Sequence, residues 1–215
     1  MPAIAYYNKA GVRVPGTTTI IGGNLGWNKR ALMHWAWNEG MEGRNYRETA
    51  DAAADAGTIA HAMIEADLKG QDWRDAVDSR KVTPEAESLA LTACEAWQEW
   101  RETVQFALLG SEVSLVSEVH QYGGTIDVAA IKRKTAIVDL KTSNGVYQDH
   151  LIQLAAYGQL WDEHHPDNPI GAYYLLRLGK NDGSFHYHYW PQLKAAREAF
   201  NYLRQIHNLK KKIAV

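Results

Sequence analysis

From Gly123 to Tyr157 the chain reads GGTIDVAAIKRKTAIVDLKTSNGVYQDHLIQLAAY, and charged residues interrupt two otherwise apolar runs. TIDVAAI is small, β-branched and apolar except at Asp127. Lys132, Arg133, Lys134 and Thr135 then break the pattern, which predicts the exposed turn of a hairpin. The return run AIVDLKT is apolar again but carries Asp139 and Lys141. Residues two apart in a strand share a face, so Asp139 and Lys141 point one way and Val138 and Leu140 the other. A carboxylate and an ammonium projecting from a half-buried strand need partners, because burying either alone is costly. A divalent cation held by Asp127 and Asp139, with Lys141 beside it, would satisfy all three.

The same reading extends to both sides of this stretch. Asn28 to Gly40, with Leu32, Trp35 and Ala36 at i, i+3, i+4, predicts a short amphipathic helix whose Trp35 and Trp37 cannot both face inward. One exposed Trp could stack on a base, although packing on a neighbouring helix is the simpler role. Thr17, Thr18 and Thr19 are placed to cap the segment that follows them. Arg44 to Asp67 reads as two helical pieces, the second starting near Asp55 or Gly57. Residues 68–83 are charged and read as loop. Thr83 and Pro84 are a cap and first position for a long scaffold helix running to about Leu108. Ser111 to Val119 alternates as a first strand, ending at Glu118, which reads as an edge carboxylate or a helper of Lys141. DEHHPDNP over 162–169 has the composition of a loop rather than of a metal site. AYYLLRL and SFHYHYW flank a KNDG hairpin turn, and residues 191–212 form a last amphipathic helix. The three lysines that end it suit a helix C-terminus.

Composition narrows the class. At 215 residues the chain suits one domain with a sizeable core. The expected division is a mainly helical region over 1–110 and a sheet core with its C-terminal helix over 111–215. Hydrophobic residues make up 46% and charged residues 22%, which argues against disorder. Cys94 is the single cysteine, so an internal disulfide is excluded and a reducing compartment is the natural setting. No apolar run is long enough for a membrane span, and the first residues lack the apolar core of a signal peptide, so a cytoplasmic, non-secreted protein is expected. The net charge of −2 does not mark a nucleic-acid binder. Acidic metal ligands enter that sum as negative charge, so it excludes nothing.

Helical spacing adds further polar groups. Gln153 and Tyr157 in DHLIQLAAYGQLW, and His61 and Glu65 in GTIAHAMIEADL, are i, i+4 pairs on single helix faces. The ordered series GTxxHxxxE, GTID, VDLKT and QLAAY resembles the PD-(D/E)XK nuclease superfamily. Within it, the chain is similar to the RecB-like and phage-type recombination exonucleases and to the mitochondrial genome maintenance exonuclease. VPGTTTIIGGNLGW with LMHWAW, and YYLLRLGKNDGSFHYHYW followed by a helix, extend the likeness over most of the chain. Gly16 stands where many relatives have Ser.

The resemblance implies an α/β fold with a restriction-endonuclease-like core: a mixed sheet of about four or five strands flanked by helices, with a helical N-terminal region. It implies metal-dependent hydrolysis of DNA phosphodiester bonds, with DNA single strands or duplex ends as substrate. His61, Asp127, Asp139 and the Leu140 carbonyl would hold one or two Mg²⁺ or Mn²⁺ ions, with Glu65 as an outer candidate; imidazole beside oxygen ligands favours Mn²⁺. Lys141 would orient or deprotonate water, Gln153 would hold that water or Lys141, and Tyr157 would touch the DNA backbone. The lone cysteine leaves no room for the four-cysteine iron–sulfur cluster of some RecB-like nucleases. Phage-type recombination, replication or repair in a bacterial host, with a single-strand annealing protein as partner, is the implied setting. The alternatives are a site- or structure-specific endonuclease and a non-catalytic DNA-binding module on the same fold.

Overall fold

In a computed structural model of the chain, residues 4–76, 82–131 and 133–213 are described. Lys132 and the 77–81 part of the expected loop lie outside the described residues. The frame is a five-stranded sheet in the order β3-β4-β5-β6-β7, formed by Ala107–Ser117, Tyr122–Ile131, Thr135–Lys141, Ala172–Leu178 and Phe185–Trp190. Neighbours run antiparallel except β5 and β6, which are parallel and joined by helix α5, Gln148–His164. The expected mixed sheet is therefore present, with its parallel pair made by a β-α-β crossover.

Helices cover both faces. On one side α3 (Tyr46–Leu68) and α4 (Pro84–Thr103) pack Ala60, Met63, Ala93 and Trp97 against Val128, Val138, Leu140 and Leu176. On the other side α1 (Thr17–Asn24), α5 and α6 (Lys194–Lys210) pack Ile20, Leu154, Leu160 and Phe200 against Ile126, Ile137 and Tyr173. Being covered twice, β5 is buried at every position but its last, which is why its sequence is nearly continuous apolar. Cys94 is buried in the first of these cores, and burial pushes its thiol up to about 12, so it is inert.

Several boundaries differ from the sequence pattern. The two helical pieces expected over Arg44–Asp67 are one continuous helix, capped by Asn45, whose side chain accepts from the Arg47 N–H. Asp55 and Gly57 lie inside it. A Cβ on Gly57 would sit 3.0 Å from Thr142 Oγ1, so the glycine lets the helix approach the end of β5. Helix α4 stops at Thr103 because Val104 turns extended, and the strand expected from Ser111 begins at Ala107. Thr17 does not cap: Gly16 is the cap, and Thr17 is the first helical residue, donating its hydroxyl to Gly123 O. A two-residue hairpin was not expected, yet Tyr6–Tyr7 (β1) pairs with Arg13–Val14 (β2). Tyr6 lies directly over Gly123, where a Cβ would be 2.2 Å from its ring. Helix α2, Lys29–Met41, leaves Trp37 exposed and turns Trp35 edge-on to Tyr46.

Candidate active site

The sheet forks where β4 and β5 part. Their ladder runs from Ile131↔Thr135 to Val128↔Val138 and stops there, one residue before Asp127 would face Asp139. Beyond the fork, Asp127 Oδ2 accepts from the Leu140 N–H at 2.7 Å, in place of a strand carbonyl. Val138 and Leu140 enter the core against α3 and α4, whereas Ile137 enters the opposite one. Asp139 is completely buried, and the Lys141 ammonium lies 2.6 Å from its Oδ2. The two side chains thus share a side, as the two-residue period predicts. Contact is close, but neither Asp139 oxygen takes an aligned hydrogen bond. Burial pushes the Asp139 carboxyl up, opposed by Lys141 and reinforced by Asp127. Burial alone would lower Lys141, but Asp139 and Asp127 outweigh it, so the lysine is held as an ammonium.

His61 is delivered from α3, one helical turn past Gly57. Its Nδ1 lies 3.7 Å from Asp127 Oδ1 and 4.0 Å from Glu112 Oε1. Glu112 was not singled out by the sequence pattern. The pairs Ser111↔Val128 and Val113↔Ile126 leave it directly across from Asp127, and it takes a left-handed φ of 50°. A glutamate at positive φ is uncommon and marks a locally forced backbone. Like charges facing across a ladder repel; burial, then Asp127 and Glu65, push the Glu112 carboxyl up to about 7. His61, Glu112 and Asp127 each offer one donor atom, all within 4.8 Å of one another.

This donor set fits a hard divalent cation. Two carboxylates that face each other across the ladder meet an imidazole, and a fully buried carboxylate lies beside them. Asp139 stands next to the three-residue cluster rather than in it, with its Oδ2 2.6 Å from the Lys141 ammonium.

Helix α5 supplies a floor rather than a contact surface. Gln153 Nε2 donates to Tyr157 Oη at 2.7 Å. Tyr157 is 5% exposed, and a Cβ on Gly124 would lie 2.7 Å from its ring, so it packs on β4 beneath the acids. Burial and the charges of Asp127 and Asp139 raise its phenol well above the usual value. One expectation is corrected by this geometry: Tyr157 is buried and does not present its hydroxyl to a DNA backbone, while Gln153 gives its Nε2 to Tyr157 and keeps its carbonyl oxygen as an acceptor. On the same helix, burial and the charge of Lys141 push His150 down to about 4, leaving a neutral imidazole near the ammonium.

Other candidates lie off the site or at its margin. Glu65 pairs with Lys69 at 2.5 Å, close enough to influence Glu112 but outside the donor cluster. Glu118 accepts from the Lys9 N–H at 2.7 Å and does not support Lys141. In the 162–169 segment Asp162 accepts from Arg197 and the Ile170 N–H, while His165 stacks on Trp161. The segment is loop only from His165 onward, because Asp162, Glu163 and His164 complete helix α5, and those groups hold it in place.

A family model for the PD-(D/E)XK nuclease superfamily matches residues 32–213. The chain belongs to that superfamily. Asp127, Asp139 and Lys141 lie within the matched residues. A comparison with curated proteins returned no match. Among solved structures it is similar to a putative exonuclease from Eubacterium rectale, with a TM-score of 0.50 and 8% identity over 74% of this chain and 69% of that one. It is also similar to SSO0001, with a TM-score of 0.37 and 14% identity over 75% of each chain. At 8% identity the first likeness speaks to the fold, and it agrees with a restriction-endonuclease-like arrangement of a mixed five-stranded sheet flanked by helices. No helix among the described residues is long and apolar enough to cross a membrane.

Proposed function

We propose that this chain is a single nuclease domain that hydrolyses DNA with Mg²⁺ or Mn²⁺ and works from strand ends, in phage-type recombination, replication or repair. The observation that carries the reading is the fully buried Asp139 carboxylate 2.6 Å from Lys141, at the fork where Asp127, Glu112 and His61 converge. His61, Glu112 and Asp127 would hold a divalent ion, with Asp139 and the Leu140 carbonyl as further oxygen donors. When bound, such an ion supplies Lewis-acid polarisation of the phosphoryl group and an acidified water.

The chain's own groups account for the rest. Asp127 fixes the mouth of the fork through the Leu140 amide, so its second oxygen faces His61 in a set orientation. Lys141, kept charged by Asp139, offsets the negative charge that develops on the phosphoryl oxygens. That favours electrostatic stabilisation over proton abstraction by this lysine. Tyr157 and Gln153 act from below, excluding water from the inner side of both acids. An end-processing enzyme of this kind, cytoplasmic in a bacterial host, would leave single strands suited to an annealing protein.

Linear, nicked, covalently closed circular and single-stranded DNA, incubated with Mg²⁺ or Mn²⁺, test the reading. Progressive shortening of the linear forms with the closed circle spared is expected. Discrete fragments from the closed circle would mean an endonuclease. No hydrolysis with either metal at millimolar concentration would leave a binding module.

A further inference from the structure

The basic turn between β4 and β5 takes no part in the site described above. It borders a cavity of about 700 Å³ on the α4 side of the sheet, a size that suits a ligand rather than a packing defect. Three alanines leave the space. Ala130 pairs with Ala136 across β4 and β5, and Ala136 with Ala172 across β5 and β6, so a row of methyl groups floors the cavity.

Its walls are aromatic. Trp100 and Phe106, with ring centroids 6.0 Å apart, form one side. Tyr174 and Tyr189, 5.2 Å apart, form the other with Tyr187. Tyr187 is 62% and Tyr189 49% exposed, on an edge strand where large bare rings are a liability. The charged residues lining the cavity are Arg133 and Lys134, and no carboxylate lines it among the described residues. Arg133 moreover sits at a φ of 116°, where glycine would be comfortable. An arginine at a backbone position suited to glycine, beside flat rings and with no acid lining the cavity among the described residues, suits an anionic ligand with planar groups.

We propose that this groove holds a segment of single-stranded DNA, its bases against the exposed tyrosines and its phosphates on Arg133 and Lys134. The inference rests on the nuclease reading for the identity of the strand. Ala136 precedes Lys141 by five residues of β5, about 16 Å at strand rise.

Binding read in EDTA separates this proposal from the fate of the nuclease reading, because it needs no cleavage. Fluorescence anisotropy of a labelled twelve-nucleotide thymidine oligomer, at several salt concentrations, is the measurement. The Tyr187→Ala/Tyr189→Ala pair should weaken binding by roughly tenfold or more. Arg133→Gly relieves the backbone, so its thermal midpoint should hold or rise. It should also weaken binding and reduce the slope of log affinity against log salt by about 0.7. Unchanged affinity and slope in both variants, or no binding by the parent protein, overturns the proposal. Equal competition by thymidine monophosphate, or tighter binding of a duplex of the same length, overturns it as well.

Discussion

The carboxylate of Asp127 accepts from the backbone N–H of Leu140 at 2.7 Å, and so serves as the last rung between two strands that have already separated. One side chain thus keeps the fork's shape and supplies one of its ligands. The two roles respond differently to substitution. Asp127→Asn keeps an oxygen acceptor for Leu140 and should melt near the parent, yet lose activity by about 10²-fold or more through the missing charge. Asp127→Ala should lose activity similarly and also about 1–3 kcal/mol of stability, because a buried N–H is orphaned. Thermal melts and turnover on linear DNA separate the two. Equal melting of both variants would show the rung to be unimportant.

Glu112 and Asp127 face each other across β3 and β4, and their repulsion together with burial gives the metal-free protein an unusual pH dependence. Burial and its neighbours raise Glu112 from 4.5 to about 7. Between those values the folded state binds more protons than the unfolded one, so stability falls as pH rises across that window. In EDTA, unfolding free energy from this group should therefore increase on acidification from pH 7 toward pH 4.5. Glu112→Gln should flatten that slope and stabilise the metal-free protein at pH 7 by on the order of 2 kcal/mol. Urea titrations at half-unit pH steps in EDTA give the slope, and one unaltered in Glu112→Gln would remove the assigned cause.

Lys141 and Asp139 stand or fall together in the absence of metal. Lys141→Ala strips the ammonium 2.6 Å from a fully buried carboxylate. Leaving such a charge unpaired costs about 3–5 kcal/mol. Cleavage should vanish, and the variant should be destabilised in EDTA but partly recovered by Mn²⁺, because the ion replaces the lost countercharge. Differential melting with and without Mn²⁺ reads this directly. A Lys141→Ala protein that melts normally in EDTA, or keeps near-normal turnover, would contradict both the pairing and the role.

What the sequence reveals about the site depends on how local the cause is. Asp139 and Lys141 are legible because the two-residue period of a strand is intrinsic to the chain, and His61 because helical spacing and family likeness agree on it. Glu112 is hidden in SEVSLV, where it looks like one solvent-facing position of an alternating strand. Its place opposite Asp127 comes from the irregular register of β3 and a φ of 50°, which no neighbouring residue announces. The i, i+4 face of Gln153 and Tyr157 is equally legible, but not what lies over it. Gly124 admits the Tyr157 ring against β4, and only the assembled sheet decides that the ring is buried. The strands themselves are legible in runs such as AIVDLKT and AYYLLRL, whereas their order in the sheet and the ends of α4 and β3 are not. Apolar residues around Phe106 to Leu109 serve a helix or a strand equally well until Val104 turns extended.

The N-terminal hairpin is held by contact rather than by its own strands, which are two residues each. Gly123 N–H donates to Pro15 O, the Thr17 hydroxyl donates to Gly123 O, and the Tyr6 hydroxyl shares a 3.0 Å hydrogen bond with Thr125 Oγ1. Added to Gly123, a Cβ would fall 2.2 Å from Tyr6 Cγ, a distance no rotamer change in a packed ring can absorb cheaply. Gly123→Ala should therefore expel Tyr6, cost about 1–3 kcal/mol and expose residues before Val14 to protease. Tyr6→Ala removes the obstacle. In the double variant the alanine at 123 should then cost much less than it does alone, a coupling on the order of 1 kcal/mol or more in a thermodynamic cycle. Additive costs would mean that the ring and the glycine do not meet. Because Gly123 lies at the start of the strand that carries Asp127, loss of the hairpin should also lower nuclease turnover in Gly123→Ala, and turnover equally low in the double variant, despite the reduced cost of the alanine, would assign the hairpin a part in shaping the fork.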